Sequence, residues 1–209
     1  MAVPSRIVLA SANPKKVDEL RQILTASGLA VELLTRPPEV PEVVEDAPDF
    51  LGNARLKAAA LAAATGEWAL ADDSGLEVEA LDGAPGVRSA RYAGEDATDA
   101  DNVARVLAEL ADAAPAAPAA ATPSARRARF RCVIVLCPPE GVDGTELIAE
   151  GSVQGHLTEV PRGNSGFGYD PVFVPDDGDG RTFAEMSAAD KHAISHRGRA
   201  LRALVDHLS

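Results

Sequence analysis

Apolar positions along the chain recur with two periods, and the alternation between them predicts an α/β protein. Arg6-Ile7-Val8-Leu9-Ala10 is a short apolar run that predicts a buried first strand. Val17, Leu20, Ile23 and Leu24 then recur at helical spacing until Gly28. Asn13 suits the N-cap of that helix and Pro14 its first position. Val31 to Leu34 predicts a second strand, and a loop with four prolines follows. Phe50 to Thr65 predicts an alanine-rich helix capped by Asp49 and ended by Gly66, small enough along its length to pack closely on a sheet. Trp68-Ala69-Leu70 predicts a strand that ends in a turn at Ala71-Asp72-Asp73-Ser74-Gly75, and Leu76 to Ala80 alternates as a further half-exposed strand.

Thr98 to Asp101 opens another helix with a capping-box variant, and Val103, Val106, Leu107 and Leu110 form its stripe. Residues 113–125 are almost all Ala, Pro, Thr and Ser, which predicts a flexible loop within one domain. Arg129 to Leu136 predicts a strand that Leu147 to Val153 can join as a hairpin, and Val172 to Val174 predicts a short one. The last helix is predicted to start at Ser187 and run on through Ile194, Leu201, Leu204, Val205 and Leu208.

Composition narrows the function classes. A net charge of -12 over 209 residues argues against a polymeric nucleic acid partner, which needs a basic face. No stretch of about 18 apolar residues predicts a membrane span, and the opening residues lack the basic start of a signal peptide. Cys132 and Cys137 fall on opposite faces of one predicted strand, so reduced thiols in a cytoplasmic protein are expected.

Three segments carry candidate chemistry. Ser11 to Lys16 joins a strand to a helix N-terminus, where free N–H groups and the helix dipole favour an anion; Lys15 and Lys16 are otherwise two solvated lysines. Asp72-Asp73 is either a solvated turn or a magnesium-suited pair of hard oxygen ligands. Gly163 to Pro171 is either a plain glycine turn or a backbone cradle with aromatics for a base. No Walker loop or dinucleotide fingerprint occurs.

Together with Phe50-Leu51-Gly52-Asn53-Ala54, Lys57, Gly83 to Gly86, Ser89 to Tyr92 and Ser195-His196-Arg197-Gly198, these segments resemble the inosine triphosphate pyrophosphatase family, in family order over nearly the whole chain. The resemblance implies a single two-lobed domain over 1–209: an elongated, twisted mixed β-sheet flanked by helices, with a nucleotide cleft between the lobes. It implies magnesium-dependent hydrolysis of inosine and xanthosine triphosphates to the monophosphate and pyrophosphate, by a cytoplasmic homodimer. By position, Ser11, Ala12, Asn13, Pro14, Lys15, Lys16 and Lys57 would hold the phosphates. Asp73 would be the catalytic residue, and Glu45 and Asp73 the metal carboxylates. Ser74 would contact substrate, Phe167 with Gly168 and Tyr169 would hold the purine, and Asp170, Lys191, His196 and Arg197 would line the base pocket. Donors from His196 and Arg197 would accept a 6-oxo purine and be left unpaired by adenine. Where the family usually has Glu, this chain has Gly52; Lys15 replaces a usual glycine, and His192 a commoner polar residue. A pyrophosphatase for pyrimidine or modified nucleotides, and a non-catalytic nucleotide-binding module, are the alternatives.

Overall fold

A computed structural model describes residues 4–11, 13–28, 30–113, 126–142 and 144–208. Ala12 and nearly all of the 113–125 segment lie outside them. Six strands form one mixed sheet in the order β2-β1-β3-β4-β5-β6. They are β1 (Arg6–Leu9), β2 (Glu32–Thr35), β3 (Trp68–Val78), β4 (Arg127–Cys137), β5 (Leu147–Leu157) and β6 (Phe173–Pro175). β1 runs parallel to β2 and β3, whereas β5 and β6 are antiparallel. Among the described residues the α-helices are α1 (Pro14–Ala26), α2 (Phe50–Thr65), α3 (Asp99–Ala113), α4 (Ala188–Ile194) and α5 (His196–Leu208). Among the described residues no helix is long and apolar enough to cross a membrane.

The chain divides into two compact units, the first comprising residues 1–73, 132–151 and 197–209, the second 74–131 and 152–196. In the first unit, strand alternation sorts the core onto two sheet faces. Ile7 and Leu9 of β1, Leu70 of β3 and Cys132, Ile134 and Leu136 of β4 pack with Leu20 and Leu24 of α1 and Leu201 and Leu204 of α5. Val8, Ala69, Ala71 and Val135 point the other way and meet α2 through Ala54, Ala58, Leu61 and Ala62. Those α2 positions recur at helical spacing, although an alanine-rich sequence hides which face is apolar. Asp49 caps α2 by accepting from the Gly52 N–H, and Gly66 closes it in the left-handed region at φ 67°. The two cysteines are free, and they belong to opposite faces as their spacing predicts. Burial pushes the Cys132 thiol up to about 12.

The second unit packs Val103, Val106 and Leu110 of α3 against Leu76 and Val78 of β3, Phe130 of β4 and the rings of Phe173 and Phe183. The predicted capping box forms, with Thr98 and Asp101 exchanging hydrogen bonds.

Two expectations are corrected. The Asp-Asp segment is not a turn: β3 runs unbroken for 11 residues through Ala71 to Gly75. Local turn propensity loses because both carboxylates find cationic partners within the fold, which a solvated turn would forgo. The last helix is two helices, because Ser195 adopts an extended conformation (φ -67°, ψ 156°) and closes α4 through its N–H to Lys191.

Gly155 marks the tightest approach within the β5–β6 pair, where an added Cβ would lie 2.2 Å from the Val174 carbonyl oxygen and 2.7 Å from the Phe173 ring. Gly155→Ala is expected to destabilise the protein by about 1–3 kcal/mol. Urea unfolding checks this; an unchanged midpoint would contradict the packing described.

Candidate active site

β3 outruns its neighbour β1, whose register with it ends at Leu9 opposite Leu70. Beyond that point β1 becomes the segment that leads into α1. The Asn13 side chain caps α1 by accepting from the Lys15 N–H at 3.0 Å, and the Ser11 hydroxyl accepts from the Asn13 N–H at 3.2 Å. Asp72 and Asp73 therefore stand past the carboxyl end of a parallel strand, beside a helix N-terminus, where open α/β sheets bind ligands.

Successive side chains of a strand point to opposite faces, so the two acids part company. Asp72 follows Leu70 onto the α1/α5 face. Its Oδ2 meets the Lys16 ammonium at 3.5 Å and the Arg197 guanidinium at 3.2 Å, and Arg197 also donates to Glu19. Asp73 follows Ala71 onto the α2 face. Its Oδ1 accepts from Lys57 at 3.2 Å and its Oδ2 from the Asn53 amide at 3.2 Å. Lys57 and Asn53 are four residues apart, which brings them to one side of α2. The Lys57 ammonium also meets Glu45 at 3.3 Å.

These surroundings drive the two neighbouring carboxyls in opposite directions. Burial would raise Asp72, but Lys16, Arg197 and Lys57 outweigh it and hold the carboxyl well below the usual range. Burial raises Asp73, Glu45 adds to that, and Lys57, Lys16 and Asn53 only partly offset it. The Lys57 ammonium, despite its own burial, is held above its ordinary value by Asp73, Asp72 and Glu45. Paired acids with divergent environments are the usual signature of divided labour in a site, one a fixed counter-charge and the other a proton acceptor.

Among the described residues no group of three or more His, Cys, Asp or Glu side chains is arranged to hold an ion unaided. Glu45 and Asp73 nevertheless converge on one cation, the Lys57 ammonium. Magnesium takes one or two carboxylates and completes its shell with waters and phosphate oxygens, so this pair fits it. At Gly52, Ala47 fills the space: a Cβ at residue 52 would lie 2.5 Å from the Ala47 Cβ.

The second unit builds a separate constellation. Asp170 is buried and accepts from the Phe167 N–H at 2.9 Å and from the Lys191 ammonium at 2.7 Å. Lys191 lies 5.0 Å from the Phe167 ring centroid. Gly166 (φ 77°) makes this turn feasible, since any Cβ there would strike Asp170 at 2.0 Å. The Gly168 N–H donates to Asp99 at 2.8 Å. Phe167 is half-buried, but Tyr169 is only 3% exposed and donates to the Ser89 carbonyl. The Tyr169 side chain is thus a core group, its hydroxyl raised by burial. His196 stacks on Phe130 at 4.6 Å between centroids. Ser74 follows Asp73 in β3, half-buried.

Arg197, only 2% exposed, directs Nε and Nη2 to Asp72 and Nη1 to Glu19, all within the first unit. Sequence reasoning assigned no role to Glu19, Asp99 or Asn53. A fully buried Asn in the first turn of an alanine-rich helix carried a signal, because Asn is a poor helix-interior residue. Glu19 and Asp99 carried none, being ordinary helix-surface acids by pattern.

An open α/β sheet, a split pair of acids, three lysine or arginine counter-charges and a helix N-terminus together suit an anionic ligand. The Ham1 family model matches residues 7–207, and the chain belongs to that family. A Streptomyces avermitilis protein named dITP/XTP pyrophosphatase is 47% identical over 203 residues, covering 96% of each chain. A Frankia alni protein of the same name is 49% identical over 200 residues, covering 95% of each. Among solved structures, a HAM1 protein from Coxiella burnetii superimposes with a TM-score of 0.84 at 42% identity, covering 100% of this chain and 98% of that one.

Because Asp72 has a folded pKa below its unfolded value, its contribution to stability is fully present above about pH 4 and is lost as pH falls through the lower folded value. Asp72→Ala should cost roughly 3–5 kcal/mol at neutral pH by leaving Arg197 buried without this partner. The gap to wild type should narrow only below about pH 4. Urea titrations across pH measure it, and a gap that closes near neutrality would refute the assignment.

Proposed function

We propose that this protein hydrolyses inosine and xanthosine triphosphates, ribo or deoxy, to the monophosphate and pyrophosphate, as the names of its relatives indicate for them. The convergence of Glu45 and Asp73 on Lys57, beside the Asp72–Lys16 pair, carries this reading. A triphosphate seated at the α1 N-terminus meets the positive end of the helix dipole and the ammonium groups of Lys15, Lys16 and Lys57. Magnesium held by Glu45 and Asp73 would neutralise phosphate charge and align water for in-line attack.

Asp73 serves as the proton acceptor for the attacking water. Asp72, held ionised by Lys16 and Arg197, keeps those cations in place. Lys57 would reach the phosphates from α2 and offset charge that develops as the α–β bond breaks. The purine stacks on Phe167, with Gly168 and the Tyr169 backbone as the floor of the turn. Lys191, oriented by Asp170, and His196 supply donors to a 6-oxo group, and adenine leaves them unpaired. By the same family reading, the protein is a cytoplasmic homodimer.

Wild-type protein with magnesium and inosine triphosphate should release pyrophosphate, seen as orthophosphate only after inorganic pyrophosphatase is added, with little turnover of adenosine triphosphate. Direct release of orthophosphate would sink the reaction class. Asp73→Asn should lower kcat by about 10²–10⁴-fold while the thermal unfolding curve stays cooperative; near-normal turnover would remove Asp73 from the proton-acceptor role.

A further inference from the structure

Asn53 is 0% exposed and bonds one of the two acids that meet Lys57. Its Oδ1 accepts from the Ala47 N–H at 3.0 Å, and its amide nitrogen donates to Asp73 at 3.2 Å. Ala47 lies two residues beyond Glu45, on a proline-rich segment that has no regular structure of its own between β2 and α2. Such a segment has no ladder hydrogen bonds to fix where Glu45 stands. The Asn53 side chain supplies one, and the same amide group holds the other carboxylate.

A second, independent feature acts at the same place. Gly52 precedes Asn53 on α2, and the Ala47 Cβ occupies the space in which a Gly52 side chain would begin, at 2.5 Å. Neither atom can yield by rotating, because both are fixed to backbone. Glycine at 52 therefore lets the Ala47 backbone approach closely enough for its N–H to reach Asn53. The helix holds still meanwhile, since Asp49 caps it through the Gly52 N–H at 2.7 Å.

We infer that Asn53 is a positioning residue which, with the close approach that Gly52 permits, sets the separation of Glu45 and Asp73 and so tunes divalent-cation binding between them. The inference rests on the proposal that these two carboxylates hold the metal. Asn53 itself touches neither phosphate nor reacting water. A buried Asn that merely stabilises α2 would lower the melting temperature when replaced, but it would leave the cation affinity of the folded protein unchanged.

Manganese(II) binding to the protein, read by electron paramagnetic resonance, tests this alongside the magnesium concentration for half-maximal hydrolysis. Asn53→Leu should weaken manganese binding and raise the magnesium requirement by about 10–100-fold, the usual range for residues that orient a metal ligand. KM for inosine triphosphate at saturating magnesium should change by less than about threefold. Gly52→Ala keeps Asn53 and should show the same weakening, at least about tenfold. Adding Ala47→Gly removes the obstructing Cβ and should restore the affinity, which keeps the test decisive should Asn53→Leu fail to fold. Folded Gly52→Ala protein with wild-type manganese affinity would overturn the positioning role. Wild-type affinity in Glu45→Gln and Asp73→Asn would instead overturn the metal reading beneath it.

Discussion

The site depends on the simplest property of a β-strand, that adjacent side chains leave on opposite faces. Asp72 and Asp73 are neighbours in sequence, yet one belongs to the α1/α5 face and the other to the α2 face. Two carboxylates side by side on one surface would repel and share a proton. Separated by the sheet, each acquires its own cations and its own acidity. The sheet thus provides two electrostatic environments within one dipeptide.

Each environment is tied to a different helix, so the packing of the helices sets the chemistry. On one face, Arg197 is buried between Asp72 and Glu19, and leaving any one of the three alone in the interior would be costly. On the other face, the ionic set is looser and half-buried, with Lys57 shared between Glu45 and Asp73. A buried ionic cluster beside a more exposed one, in which one lysine serves two carboxylates, suits a ligand that brings its own charges.

Local signals dominated where sequence and structure agree. The bounds of α2 were legible because Asp49, Gly66 and the alanine run are self-contained signals, and the Asn13-Pro14 start of α1 was legible for the same reason. Glu45, Asp73, Lys16 and Lys57 came from the ordered motifs of the chain, and the structure brings all four into the first unit. What was not legible depended on partners remote in sequence. Asp-Asp-Ser-Gly is turn-like until Lys16, Lys57 and Arg197 are known to meet it, the last 125 residues away from Asp72. The break at Ser195 has no local breaker such as Gly or Pro. Tyr169 and Arg197 look like surface groups in sequence because nothing nearby announces the Ser89 carbonyl or the Glu19 carboxylate that receives them.

The alanines of α2 have a consequence beyond the core they fill. Ala54 and Ala58, both fully buried, seat the helix backbone directly on β3 and β4 through Ala71 and Val135. Lysine has a fixed span, so the distance from the helix axis to the sheet determines whether its ammonium falls on Asp73 or overshoots it. The alanine run is a spacer with a length, and its monotony in sequence is a dimension in space. Larger residues on that seam would lift the helix and carry Asn53 and Lys57 away together, disabling the site without altering any residue that belongs to it.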